Sequence, residues 1–191
     1  VYNGVGDDNR ILVPEGSTLR EVLAEPLAWT DAYQTVQDYD EESWETNVWA
    51  PDVIYNEAMG KYCYYACSSV WGTTASVIWM ATSDNIEGPY EYAGALTYSG
   101  FNKKTKPLTD NAKDACHYSY TNLGALIDNG TFTKEAVEAQ PWYDEDGDYD
   151  ANWGKYPNCI DPTVFYDAEG NLWMTYGSFS GGIYILPLVE E

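Results

Sequence analysis

Asp161 stands immediately before Pro162, and the residue in the same place of an earlier, similar segment is Ala50, before Pro51. A carboxylate there can do chemistry that a methyl group cannot: it can hold or exchange a proton, or accept hydrogen bonds from a bound ligand. Asp-Pro is also a common turn opener. Asp161 therefore reads either as a turn cap or as a carboxylate working on a ligand at the mouth of a cavity, and the residues alone leave both readings open.

The elements that must position this residue are written twice. Trp49-Ala50-Pro51-Asp52-Val53-Ile54-Tyr55 is answered by Cys159-Ile160-Asp161-Pro162-Thr163-Val164-Phe165-Tyr166. Each run meets a glycine turn and a second strand, Gly60-Lys61-Tyr62-Cys63-Tyr64-Tyr65 in one copy and Gly170-Asn171-Leu172-Trp173-Met174-Thr175 in the other. Third strands follow at Ser76-Val77-Ile78-Trp79-Met80 and Gly182-Ile183-Tyr184-Ile185. Short runs rich in Val, Ile, Tyr and Trp, joined by Gly, Asn and Asp, predict antiparallel hairpins. A single small meander with an aromatic face is not stable in water, and radial stacking of such sheets around a channel buries both faces of each. The expected fold is all-β, with the copies as two propeller blades. Because first strands of a blade start at the central channel, Asp161 is expected at its mouth.

Residues 1–48 carry turn signals at Gly4, Gly6 and Pro14-Glu15-Gly16, a short segment from Leu19 to Leu27 and an acidic stretch from Asp38 to Glu45; they read as the tail of blade one. Residues 49–97 read as a complete blade two, closing through Gly88-Pro89-Tyr90-Glu91-Tyr92. Residues 98–156 form an insertion with a short helix capped by Thr133 and an aspartate-rich run from Asp144 to Asp150. It reads either as a loop that shapes a site on one propeller face or as an inert excursion. Residues 157–191 give most of blade three. The reading is thus of an incomplete propeller, two recognisable blades plus part of another. Bare blade faces at its two ends imply self-association or cover by the missing blades.

Composition narrows the partners. The 31 acidic and 9 basic residues give a formal charge of −22, which repels phosphate backbones and anionic bilayers, so neither nucleic acid nor membrane is an expected partner. No run of eighteen apolar residues offers a membrane span. Such acidity suits the solvated surface of a secreted protein and leaves neutral ligands open. Of the four cysteines, Cys63 and Cys67 lie on one strand, about 13 Å apart at strand rise, too far to bridge each other and without a zinc pattern. Cys116 and Cys159 are isolated, and buried free thiols are the expected state. An EF-hand alignment of Gly147 fails, because Trp142 and Trp153 fall on ligand positions. His117 lacks a neighbouring nucleophile motif and reads as structural.

The blade openings Trp49-Ala50-Pro51-Asp52-Val53 and Asn158-Cys159-Ile160-Asp161-Pro162 resemble those of glycoside hydrolase family 43. So do Tyr176-Gly177-Ser178-Phe179-Ser180-Gly181-Gly182-Ile183 and the pair Ala81-Thr82-Ser83-Asp84 and Glu87-Gly88-Pro89-Tyr90; the third-blade segments resemble the arabinan-degrading branch. This resemblance implies a five-bladed propeller and an inverting hydrolase cleaving alpha-1,5-linked arabinan of plant cell walls, outside the cell. Arabinofuranosidase, beta-xylosidase and a non-catalytic carbohydrate-binding propeller are the alternatives. The family employs three carboxylates, a base from the first blade, an orienting and pKa-tuning aspartate from the third and an acid from the fourth. Asp161 matches the second of these. Inversion needs base and acid about 6.5 to 9.5 Å apart to admit water, and a third carboxylate keeps the acid protonated by like-charge repulsion. Base and acid have no match in this chain. The resemblance also implies sugar binding by Trp71 above blade two and by Asn158 and Ser178 beside the third-blade pocket. Trp49 reads either as a sugar platform or as packing between blades. No cofactor is expected within the chain, while the resemblance allows a calcium ion in the full propeller.

Overall fold

The computed structural model describes residues 16–27, 48–69, 75–100, 122–140, 157–179 and 181–189. Two antiparallel meanders dominate it. The first runs β1 (Val48–Asn56), β2 (Lys61–Ser69), β3 (Ser76–Ser83) and β4 (Glu91–Ser99), in that spatial order. The second runs β5 (Thr163–Tyr166), β6 (Leu172–Ser178) and β7 (Gly182–Leu188). The repeated strands therefore form two separate sheets, as their spacing predicts, and β4 continues from the Gly88-Pro89-Tyr90 turn.

The central strands of the first sheet are buried on both faces. One face gathers Tyr64, Ala66, Val77, Trp79 and Ala81, with Leu23, Leu27 and Tyr90 packed against them. The other gathers Cys63, Tyr65, Cys67 and Ile78 with Cys159, Val164 and Met174 of the second sheet and its approach. Burying each large side chain here contributes about 2 kcal/mol, so the first sheet is held as the filling between two layers. Trp79 meets its one polar need by donating from Nε1 to the Ser68 hydroxyl at 3.1 Å.

Residues 16–27, part of the segment 1–48 that the sequence reads as the tail of blade one, are largely helical, with α1 at Leu19–Val22 and further helical residues at 24–27. The local cause is a capping box: the Thr18 amide donates to the Glu21 carboxylate at 2.8 Å and the Glu21 amide to the Thr18 hydroxyl at 3.3 Å. The tertiary cause is the apolar pair Leu23 and Leu27, one helical turn apart, which closes the face around Trp79. Glu25 adds a polar tie by accepting from the Tyr92 hydroxyl at 2.6 Å and the Tyr98 hydroxyl at 3.4 Å.

Direct bonds join the sheets. Asp52 on β1 accepts from the Val164 amide on β5 at 2.8 Å, and the Cys159 amide donates to the Ser99 hydroxyl at the end of β4 at 3.0 Å. Among its described residues the insertion holds two short helices, α2 (Asn122–Asp128) and α3 (Lys134–Glu138). Thr133 caps α3 as its sequence predicts, its hydroxyl accepting from the Ala136 amide at 3.2 Å. The acidic stretch from Asp38 to Glu45, Trp71, Cys116, His117 and the run from Asp144 to Asp150 lie outside the described residues.

Candidate functional site at the two proline corners

The repeat extends to a backbone detail. Ala50 has φ 48° and Asp161 has φ 53°, and among the described residues these are the only non-glycine positions with positive φ. Left-handed backbone costs an L-residue about 1 to 2 kcal/mol, and a following proline disfavours it further. The same strained corner thus opens the first strand of each copy. At the first corner the register slips between Trp49 and Asp52, which is a bulge that sets Ala50 and Pro51 apart from the ladder.

Neighbouring residues hold each corner by the carbonyl that precedes it. At the first, the Cys67 thiol donates to the Trp49 carbonyl at 3.5 Å. At the second, the Gly177 amide donates to the Ile160 carbonyl at 2.9 Å. Gly177 has φ 128°, and a Cβ on it would run into the Gly182 carbonyl oxygen, so only glycine fits this close crossing of β6 and β7. That constraint accounts for the glycine inside Tyr176-Gly177-Ser178.

Four of the five site residues singled out by sequence lie at this end of the two sheets. Asp161 is exposed; Ser178 is buried and adjoins Gly177, whose bond to Ile160 draws β6 against the Asp161 corner. Asn158 is partly buried, and its Oδ1 has no hydrogen-bond partner among the described residues. Trp49 is 37% exposed beside Cys67, so its ring is neither fully packed nor fully free. Trp71, the fifth, falls outside the described residues.

Asp52 takes the structural part. Its two oxygens accept from the Val53 amide at 2.9 Å and the Val164 amide at 2.8 Å, so this carboxylate is occupied in joining the sheets while Asp161 faces solvent. The floor of the site is apolar and sulfur-rich. Burial pushes the Cys67 thiol up to about 12 and the Cys159 thiol up to about 11, which keeps both protonated and inert across ordinary pH. Cys63, Cys67 and Cys159 are buried thiols outside any disulfide, and Cys63 and Cys67 do not bridge each other, as their spacing predicts. Sequence reading assigned no part to Cys67 or Gly177. The only available signal was positional: counted from the hairpin glycines Gly60 and Gly170, the two occupy the same place.

Among the described residues no group of three or more His, Cys, Asp or Glu side chains is arranged to hold a metal ion. The described residues also contain no helix long and apolar enough to cross a membrane.

No family model matches the chain. It is 33% identical over 186 residues to the extracellular endo-alpha-(1->5)-L-arabinanase of Thermotoga petrophila, covering 97% of this chain and 28% of that protein. It is 31% identical over 158 residues to the extracellular endo-alpha-(1->5)-L-arabinanase 2 of Bacillus subtilis, covering 83% of this chain and 25% of that protein. The crystal structure of the Thermotoga enzyme superimposes with a TM-score of 0.58 over 96% of this chain and 30% of its own. The glycoside hydrolase family 43 YxiA protein of Bacillus licheniformis does so with a TM-score of 0.58 at 27% identity, over 97% of this chain and 29% of its own. The chain belongs to glycoside hydrolase family 43. Within that family its likeness runs to the endo-arabinanases, of whose length it spans under a third.

Proposed function

We propose that the protein carrying this chain is a secreted, inverting glycoside hydrolase that cleaves alpha-1,5-linked arabinan. The chain supplies two sheets of a five-bladed propeller, and the base and acid belong to blades beyond it. Asp161 is the orienting carboxylate that keeps the acid protonated. One observation carries this reading: an exposed aspartate held in left-handed backbone, at the corner where both sheets of a chain similar to endo-arabinanases meet. Strain of that kind persists where surrounding structure over-determines it, and it is common at sites of function.

The surroundings suit a sugar. Trp49 is partly exposed, and an indole suits the C–H side of a sugar ring; Asn158 joins the binding set by resemblance. Ser178, and Trp71 by resemblance, complete the binding set. The resemblance also allows a calcium ion in the full propeller. The outer face of the second sheet is apolar, with Phe165, Ile183 and Ile185 exposed, and a further blade packed there would cover it.

Asp161→Asn in the full protein tests the reading. Turnover of linear arabinan should fall about a thousandfold, equivalent to about 4 kcal/mol of barrier, with the melting transition unchanged. Wild-type turnover in a folded Asp161→Asn protein removes Asp161 from the mechanism. Products distinguish the family alternatives: internal cleavage lowers viscosity ahead of sugar release, whereas an arabinofuranosidase or beta-xylosidase releases single residues first. A carbohydrate-binding propeller would retain arabinan and release nothing.

A further inference from the structure

We infer that Phe179, in the turn between β6 and β7, is an aromatic platform for a further sugar unit of the chain held at Asp161, and so a specificity residue for long substrates. The inference deepens the reading of an arabinan-cleaving site and rests on it.

Phe179 is 95% exposed, more than any other large hydrophobic side chain among the described residues. A lone exposed apolar residue is ordinary on a protein surface, so its place in the fold has to give it meaning. Ser178 pairs with Gly182, which leaves Phe179, Ser180 and Gly181 as the whole connection from β6 to β7. Gly181 has φ 85°, the left-handed residue that closes a three-residue hairpin loop. A loop this short has no interior in which to bury a phenyl ring.

The strands beneath the turn are tied to the Asp161 corner. The Gly177 amide donates to the Ile160 carbonyl at 2.9 Å, and Tyr176 and Tyr184 pair across β6 and β7 with ring centroids 6.2 Å apart. Phe179 follows Gly177 by two residues, about 7 Å of chain, and Asp161 follows Ile160 directly. Turn and carboxylate therefore lie at one end of the second sheet, close enough for a single oligosaccharide to touch both.

A sugar offers its C–H groups to an aromatic face and its hydroxyls to hydrogen-bonding groups. Phe179 has no polar side-chain atom and can serve only the first need, while Asp161 can serve the second. The formal charge of −22 disfavours an anionic ligand for the exposed ring and leaves a neutral one. The first copy also places an aromatic in the connection from its second strand to its third, Trp71 between β2 and β3. The aromatic of this connection is thus repeated, whereas the carboxylate before proline is not.

The test uses the full protein with Phe179→Ala, Phe179→Leu and Phe179→Trp. In Phe179→Ala, KM for linear arabinan and for arabinohexaose should rise about tenfold, with kcat within about twofold and the melting temperature unchanged, because the ring binds ground and transition states alike. Inhibition by arabinose, a single unit that fills only the place at Asp161, should stay as in the native protein. Phe179→Trp keeps a ring face and should keep the native KM; Phe179→Leu keeps apolar bulk without a face and should behave as Phe179→Ala. A native KM in folded Phe179→Ala overturns the inference. So does a lowered melting temperature that Phe179→Leu restores, which makes Phe179 a packing residue beneath a further blade. If Phe179→Ala raises KM while Asp161→Asn keeps full turnover, the platform stands and the catalytic reading of Asp161 falls. If the native protein cleaves no arabinan, retardation in native gels containing arabinan replaces KM: retardation lost in Phe179→Ala keeps the platform without the hydrolase, and no retardation of the native protein removes both.

Discussion

The first and second sheets share their strand order, their hairpin glycines and a left-handed residue before proline, yet only the second corner carries a carboxylate. In the first copy Ala50 takes the strain and offers no chemistry; the nearby Asp52 is engaged with backbone amides. In the second, Thr163 stands where Asp52 would be, and the carboxylate has moved to the corner itself. A repeated backbone therefore provides the same platform twice, and one side-chain change decides which platform faces a ligand. The faces differ as well. Both faces of the central strands β2 and β3 are covered, by Leu23 and Leu27 with Tyr90 on one side and by the second sheet on the other, whereas the outer face of the second sheet leaves Ile183 69% and Ile185 57% exposed.

Exchanging the corners should break the comparison most sharply. Glycine accepts positive φ without strain, so Asp161→Gly keeps the corner and removes the carboxylate; turnover on arabinan should fall about a thousandfold with stability held, as read by activity and thermal melting. At Gly177 an alanine should cost about 3 kcal/mol or prevent folding, because the new methyl would collide with the Gly182 carbonyl. The equivalent Cys67→Ala should cost about half of that, and denaturant titration of both orders them. Asp52→Ala leaves the Val164 amide without its acceptor and should cost about 2 kcal/mol while sparing the Asp161 corner. A loss confined to activity would contradict the structural part given to Asp52.

Ala50→Gly relieves the idle corner. It should leave turnover unchanged and alter stability by less than about 1 kcal/mol, upward where relief of strain outweighs the added freedom of the unfolded chain. The smallest effect concerns the hairpin of the second sheet. Asp167 accepts from the Asn171 side chain, the Trp173 indole and two backbone amides, and these hold its carboxyl down at about 2. Its folded value lies below its unfolded one, so its stabilising part is present above about pH 4 and fades as pH falls toward 2. Asp167→Asn should flatten the dependence of melting temperature on pH in that window only.

Much of the architecture was legible in residue types. Alternating Val, Ile, Tyr and Trp between Gly and Asn turns depends on near-neighbour geometry, and that is why the strands among the described residues, the β4 turn and the Thr133 cap are legible in residue types. Helix at Leu19–Val22 was less legible, since its capping box is local but its reason to exist is the Trp79 face that Leu23 and Leu27 cover. At the site, Asp161 stands out by its place in the repeat, and Asn158, Ser178 and Trp49 are legible through the family resemblance.

Sequence by itself determined that there are two copies of one strand unit and that only one has an aspartate before its proline. Tertiary structure decided the rest: that both corners turn left-handed, that Asp52 spans the sheets, and that Cys67 holds the Trp49 carbonyl while Gly177 holds the Ile160 carbonyl. Backbone torsions at a pre-proline residue, and contacts between residues a hundred positions apart, are fixed by packing of one sheet on another. No local pattern of residue types encodes that packing.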